Sequence, residues 1–117
     1  MNAQEFDTIL SNRLIKIQDT LSSKAREYSD SSDRLYNFKR AGVINHTTPE
    51  KALWDMATKH LVSVIDLVEQ NKETTIHMID EKIGDLINYL ILLEAILIEK
   101  TGTKNIAKIV KSLPEDF

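Results

Sequence analysis

The chain contains no cysteine, three glycines, two prolines and 6% aromatic residues. The missing cysteine excludes a disulfide framework and a thiolate zinc site. Scarce glycine and proline leave few turns, and no run of any length alternates apolar with polar residues, so strands are not expected. Positive charge is not in excess either. Fifteen Lys and Arg stand against eighteen Asp and Glu, for a net charge of -3. A protein dedicated to a nucleic-acid polymer usually carries a basic surplus. The longest apolar run, Ile83 to Ile98, falls short of the ~20 residues a bilayer requires and is interrupted by Asp85, Asn88 and Glu94. The opening MNAQEFDTIL has neither a basic n-region nor a continuous apolar h-region, so a soluble cytoplasmic protein with no membrane partner is expected. No GxGxxG, Walker loop, HExxH or nucleophile elbow occurs.

What is present is helical spacing. With 42% apolar and 28% charged residues the composition is that of a globular protein, and 117 residues suit one domain spanning 1–117. Phe6, Leu10, Leu14, Ile17, Leu21, Ala25 and Tyr28 recur every three or four residues and predict a first helix from about Ala3 to Tyr28, capped by Asn2. SDSSD, residues 29–33, predicts a turn. A short helix is expected over about Ser32 to Arg40, ended by Gly42. Thr48 as cap and Pro49 as first helical residue, or a capping box of Thr47 and Glu50, start a helix that runs to about Glu69. QNKETT is the next connection. A fourth helix is predicted from Thr75 to Lys100, stopping at Gly102, and Thr103 is the expected cap of a last short helix closed by Pro114. The fold class is therefore all-α, a bundle of three long and two short helices. The fourth helix is apolar nearly all round in its second half, which favours an oligomer.

Polar residues in that apolar helix are the functional signal. At 100° per residue, Glu81, Asp85 and Asn88 fall within about 60° of one another, with Lys82 and Tyr89 on the edge of the strip. The plain alternative is a face in water. As a pocket wall, two carboxylates at i and i+4 suit magnesium or ribose hydroxyls, and Asn88 suits a sugar or base edge. On the third helix, Asp55, Lys59, Ser63 and Asp66 share a face, and His60 lies nearer the apolar side. Asp55 and Lys59 are spaced for an ordinary helical ion pair, and a lone histidine there is more often core than ligand. In DRLYNFKRAG, Arg34, Lys39 and Arg40 alternate with Tyr36 and Phe38, a mix that clamps phosphate and stacks on bases, or else a core edge with solvated cations. Trp54 reads either as core anchor or as stacking platform.

In order, KAREYSDSSDRLYNFKRAG, TPEKALWDMATKHLVSVIDL and DEKIGDLINYLILLEAIL resemble a group of small phage and bacterial proteins, the nucleotide-modification-associated helical domain. That group is similar to the all-α nucleotide pyrophosphohydrolases, the MazG and dimeric dUTPase-like superfamily. The resemblance covers roughly Lys24 to Ile98, and EKIGDLINYL is similar to the MazG segment acid-acid-x-Gly-Asp-Leu. It implies a helical oligomer that binds a nucleotide between helices with magnesium. On that basis Glu81 and Asp85 are candidate metal ligands, Asn88 faces the same pocket, and Arg34, Asn37, Lys59 and His60 meet phosphate or base. Two departures stand out. The first acidic cluster, Glu-Glu-x-x-Glu, is missing from the third helix, and Lys82 replaces the second acid of the later motif. Hydrolysis in the superfamily requires enough carboxylates to hold more than one magnesium ion, whereas Lys59 and Lys82 would neutralise phosphate directly.

The expectation is a protein that binds or sequesters a small nucleotide, such as a cyclic defence signal, without hydrolysing it. Ligand contacts are expected from Arg34, Asn37, Lys59, His60, Lys82, Asn88 and Tyr89, with magnesium at Glu81 and Asp85 where a metal is used. Two alternatives stay open. One is a magnesium-dependent pyrophosphohydrolase using Glu81, Asp85 and Asp66. The other is a helical adaptor with no small ligand.

Overall fold

The computed structural model describes residues 1–24, 33–70 and 73–114. Five α-helices and no strand occur among them: α1 (Ala3–Gln18), α2 (Tyr36–Ile44), α3 (Pro49–Glu69), α4 (Ile76–Thr101) and α5 (Thr103–Ser112). The fold is all-α, with three long and two short helices.

Local chemistry sets most of the ends. Asn2 accepts from the Glu5 amide at 2.8 Å while the Glu5 carboxylate accepts from the Asn2 amide at 3.0 Å, a reciprocal capping box. Thr48 accepts from the Lys51 amide with Pro49 in the first helical position. Thr75 accepts from the Met78 amide at 3.1 Å. Gly102, at φ 113°, separates α4 from α5 in a conformation that glycine adopts cheaply. Thr103 is the first residue of α5 rather than its cap, and no side chain caps that helix.

Two predicted boundaries move. The first helix keeps α-geometry only to Gln18, and Asp19–Lys24 widens into a π-turn. Its expected continuation through Ala25 to Tyr28, most of SDSSD, and part of QNKETT lie outside the described residues. The second helix starts at Tyr36 and passes through Gly42 to Ile44. Gly42 does not end it. The left-handed residue is His46, at φ 54°, and the Thr47 amide donates back to the Gly42 carbonyl at 2.8 Å, closing a Schellman turn. Gly42 is instead required by packing, since a Cβ there would lie 3.0 Å from backbone atoms of Thr48 and Pro49.

The core sits where α2 and α3 cross the second half of α4. Leu53 is completely buried, with Leu35, Ala57 and Ile96 around it and Phe38, Tyr89, Leu92 and Leu93 packed outside. Trp54, next to Leu53, is not core; it is 47% exposed. Lys39 ties α2 to α4, bonding to Asp33 at 2.7 Å and Glu99 at 2.6 Å. The Asp33 carboxyl is held below its ordinary value, chiefly by the Lys39 hydrogen bond, and Lys39 is raised above its own by Asp33 and then Glu99. Glu99 is thus a tether between the two helices.

Helix α1 is arranged against expectation. It turns Ile9, Asn12, Arg13 and Lys16 toward Ile76, Ile79 and Asp80 of α4. Its apolar stripe stands about 100° away from that direction. No residue of α1 is buried.

Candidate functional site

One face of α4, read along its length, forms the floor of two clefts placed end to end. Glu81, Gly84, Asp85 and Asn88 line the first; Ile91, Leu92, Ala95 and Ile98 line the second. These positions recur every three or four residues, so they share a side of the helix.

The first cleft is polar, about 380 Å³ in volume, and lies between α4 and the end of α1. Arg13, Lys16, Asp19 and Thr20 form its other wall. Asp80 anchors the two cations: the Arg13 guanidinium donates to its carboxylate at 2.5 Å and to its carbonyl at 3.3 Å, and Lys16 lies 2.9 Å away. The carboxyl of Asp80 is accordingly held below its ordinary value, first by Lys16 and, against a desolvation penalty, by Arg13. Gly84 makes this approach possible. The space a Cβ would fill at Gly84 is taken by the guanidinium, with Arg13 Cζ 3.3 Å away. Glycine inside a helix costs about 1 kcal/mol relative to alanine, and here it is placed where a cation must lie against the backbone.

Asn88 lines this cleft, and its side-chain carbonyl oxygen is buried with no hydrogen-bond donor among the described residues. A buried acceptor left unpaired is costly, and nearly all such atoms in folded proteins find a partner. Beside it, Asp85 Oδ2 lies 3.6 Å from His60 Nδ1, and the His60 ring stacks on Tyr89 with centroids 4.9 Å apart. The packing of α3 on α4 therefore brings His60, Asp85 and Tyr89 together. Glu81 lies 3.4 Å from His77 Nε2, one turn back.

The second cleft is larger, about 760 Å³, mostly apolar, and is enclosed by α2, α4, α5 and Leu21. Arg34 and Asn37 belong here, and Arg34 donates to the Leu21 carbonyl. Hence the expected ligand residues divide. Glu81, Asp85 and Asn88 meet in the polar cleft, with His60 and Tyr89 against Asp85; Arg34 and Asn37 sit by the apolar one. Lys59 is on the exposed side of α3 and forms no ion pair with Asp55, and Lys82 is half-buried on α4 outside both linings. Sequence reading missed Arg13, Lys16 and Asp80. The available signals were two cations one turn apart, off the apolar stripe, and a glycine in mid-helix at Gly84.

Magnesium fits this donor set poorly. Among the described residues no group of three or more His, Asp or Glu side chains converges as a metal site. Glu81 and Asp85 each stand by a histidine, and the opposite wall presents Arg13 and Lys16. A small ion demanding six oxygens in octahedral array would meet four carboxylates, one of them, Asp80, already paired with the two cations of the opposite wall. Comparison of the chain with protein-family models, curated proteins and solved structures finds no match.

Proposed function

We propose that the chain binds a small nucleotide in the polar cleft and releases it unchanged. The observation that carries this reading is the unpartnered Asn88 carbonyl oxygen. It calls for a donor, and in this reading the Asn88 amide turns toward the cleft on binding so that the ligand supplies it. The charges around it narrow the ligand's chemistry. Four carboxylates, Asp19, Asp80, Glu81 and Asp85, share the cleft with Arg13 and Lys16. That net negative balance favours a ligand that presents hydroxyl and amino donors to the carboxylates and confines its anionic group to Arg13 and Lys16. A nucleotide satisfies both sets. Its phosphate accepts from Arg13 and Lys16, its sugar hydroxyls and base amino groups donate to Glu81, Asp85 and Asn88, and the stacked pair of His60 and Tyr89 lies beside Asp85. The cleft volume falls within the ordinary range for small-ligand pockets.

Binding without hydrolysis follows from the donor set. Phosphoanhydride cleavage in pyrophosphohydrolases depends on carboxylates holding magnesium on the phosphates. In this chain Asp55, Asp66 and Glu69 of α3 are exposed and line neither cleft. Calorimetric titration with mono-, di- and cyclic nucleotides, with and without magnesium, tests the reading. Saturable binding is expected for at least one nucleotide, unaffected by chelator and weakened by Arg13→Ala or Asn88→Leu. Binding that vanishes with chelator, or that both variants leave unchanged, contradicts it.

A further inference from the structure

We infer that the base held in the polar cleft is guanine. The inference rests on the nucleotide reading and narrows it to one base. Its ground is the wall that α4 presents. Glu81, Asp85 and Asn88 follow one another at single-turn spacing along the face that lines the cleft. Ionised carboxylates accept hydrogen bonds and donate none, and the side-chain oxygen of Asn88 is the unpaired acceptor. Asp85 keeps its accepting capacity as well. His60 Nδ1 lies 3.6 Å from its Oδ2, too far for a hydrogen bond. The cations of the cleft, Arg13 and Lys16, stand on the other wall, where Asp80 holds them. A ligand that bridges the walls therefore sets its anionic group against α1 and a row of donors against α4.

The pairing edges of the bases differ in the donors they offer. Guanine carries its N1–H beside the amino group on C2, two adjacent parallel donors. Adenine and cytosine set their amino group beside a bare ring nitrogen, and uracil sets its N–H between two carbonyls. Of the common bases, only guanine gives one carboxylate two parallel N–H bonds from this edge, the forked geometry in which such pairs are strong. The amino group has a further hydrogen, directed away from N1–H. In the cleft, Asp85 takes N1–H and one amino hydrogen. The turned amide of Asn88, one turn along the helix, takes the other, and Glu81 is left for the sugar hydroxyls. Any other common base in this pose would set a ring nitrogen or a carbonyl against the lone pairs of Asp85.

Calorimetric titration of the full chain with guanosine, inosine and adenosine 5′-monophosphates, and with their 3′,5′-cyclic forms, tests the inference. Inosine keeps N1–H and lacks the amino group; adenosine lacks N1–H. The guanosine form should bind roughly tenfold or more tighter than the inosine form, and roughly hundredfold or more tighter than the adenosine form, because a site built around N–H donors rejects analogues that lack them. Asp85→Asn supplies a switch. An amide offers one acceptor and one donor in place of two acceptors, which matches the N1–H and C2 carbonyl of xanthine. The variant should lose guanosine monophosphate and gain xanthosine monophosphate, with its helices retained by circular dichroism. If the variant does not fold, the wild-type series decides. Wild-type protein that binds adenosine and guanosine forms equally, or a folded Asp85→Asn that still prefers guanosine, overturns the inference and leaves nucleotide binding standing. Binding of none of these nucleotides overturns both.

Discussion

Replacing Asn88 by leucine should separate folding from binding. The side-chain oxygen of Asn88 is buried and accepts no hydrogen bond from the described residues, so the folded protein bears the desolvation cost of an unpaired acceptor, about 1–3 kcal/mol. Leucine removes that atom and is the better helix former by a few tenths of a kcal/mol. Against this stand loss of the amide's other contacts and an imperfect shape match, together less than about 1.5 kcal/mol. The net expectation is a ligand-free protein more stable by about 1 kcal/mol. In urea, followed by circular dichroism at fixed protein concentration, the midpoint should rise with an unchanged slope. The same change removes the acceptor that a bound nucleotide uses and leaves the ligand's donor unpaired. Affinity should fall roughly ten- to hundredfold, at ~1.4 kcal/mol per factor of ten. A midpoint that drops by a comparable amount would show that Asn88 is a structural residue, and the case for a ligand at this atom would collapse.

Further outcomes follow from the same geometry. Leu53, wholly buried at the centre of the helix crossing, should cost about 3–5 kcal/mol when cut to alanine, read as a lower urea midpoint. The two helical glycines should respond oppositely to alanine. At Gly42 the new methyl meets immobile backbone of Thr48 and Pro49, so the variant loses about 1–3 kcal/mol. At Gly84 it meets only the tip of Arg13, which can swing away, so thermal stability holds or rises by up to ~1 kcal/mol while nucleotide affinity falls. Acid should loosen the bundle. Asp33, Asp80 and Glu50 all lie below their ordinary values of 3.8, 3.8 and 4.5, so the stability they lend is present above those values and drains as pH falls through the lowered ones. Melting temperature should therefore be level from pH 7 to about 5 and decline below about 4. Asp80→Asn should flatten part of that decline.

Much of the fold was legible because it rests on local chemistry. Asn2, Thr48 and Pro49 act through their side chains within four residues of their own helix ends, and Gly102 acts by lacking one; Thr75, expected as the first residue of its helix, is its cap. Where the cause is tertiary, reading fails. Gly42 looks like a helix stop but serves the approach of Pro49. The stripe on α1 shows that one flank is apolar, yet says nothing of what covers it, and among the described residues nothing buries it. The site divides in the same way. Glu81, Asp85 and Asn88 announce themselves by spacing on a single helix. Arg13 and Lys16 do not, since Arg13 meets Asp80 across 67 positions of sequence. The resemblance groups Arg34 and Asn37 with the acids, but α2 faces the other half of α4 across the apolar cleft.

The most direct test incubates the purified protein with linear and cyclic nucleotides, removes free ligand, denatures the protein by heat and identifies what is released. Recovery of an intact nucleotide, in near-stoichiometric amount and with or without magnesium, is the expected result. Recovery of nucleoside monophosphate and pyrophosphate would establish an enzyme in place of a binding protein, and failure to retain any nucleotide would remove the polar cleft's proposed ligand altogether.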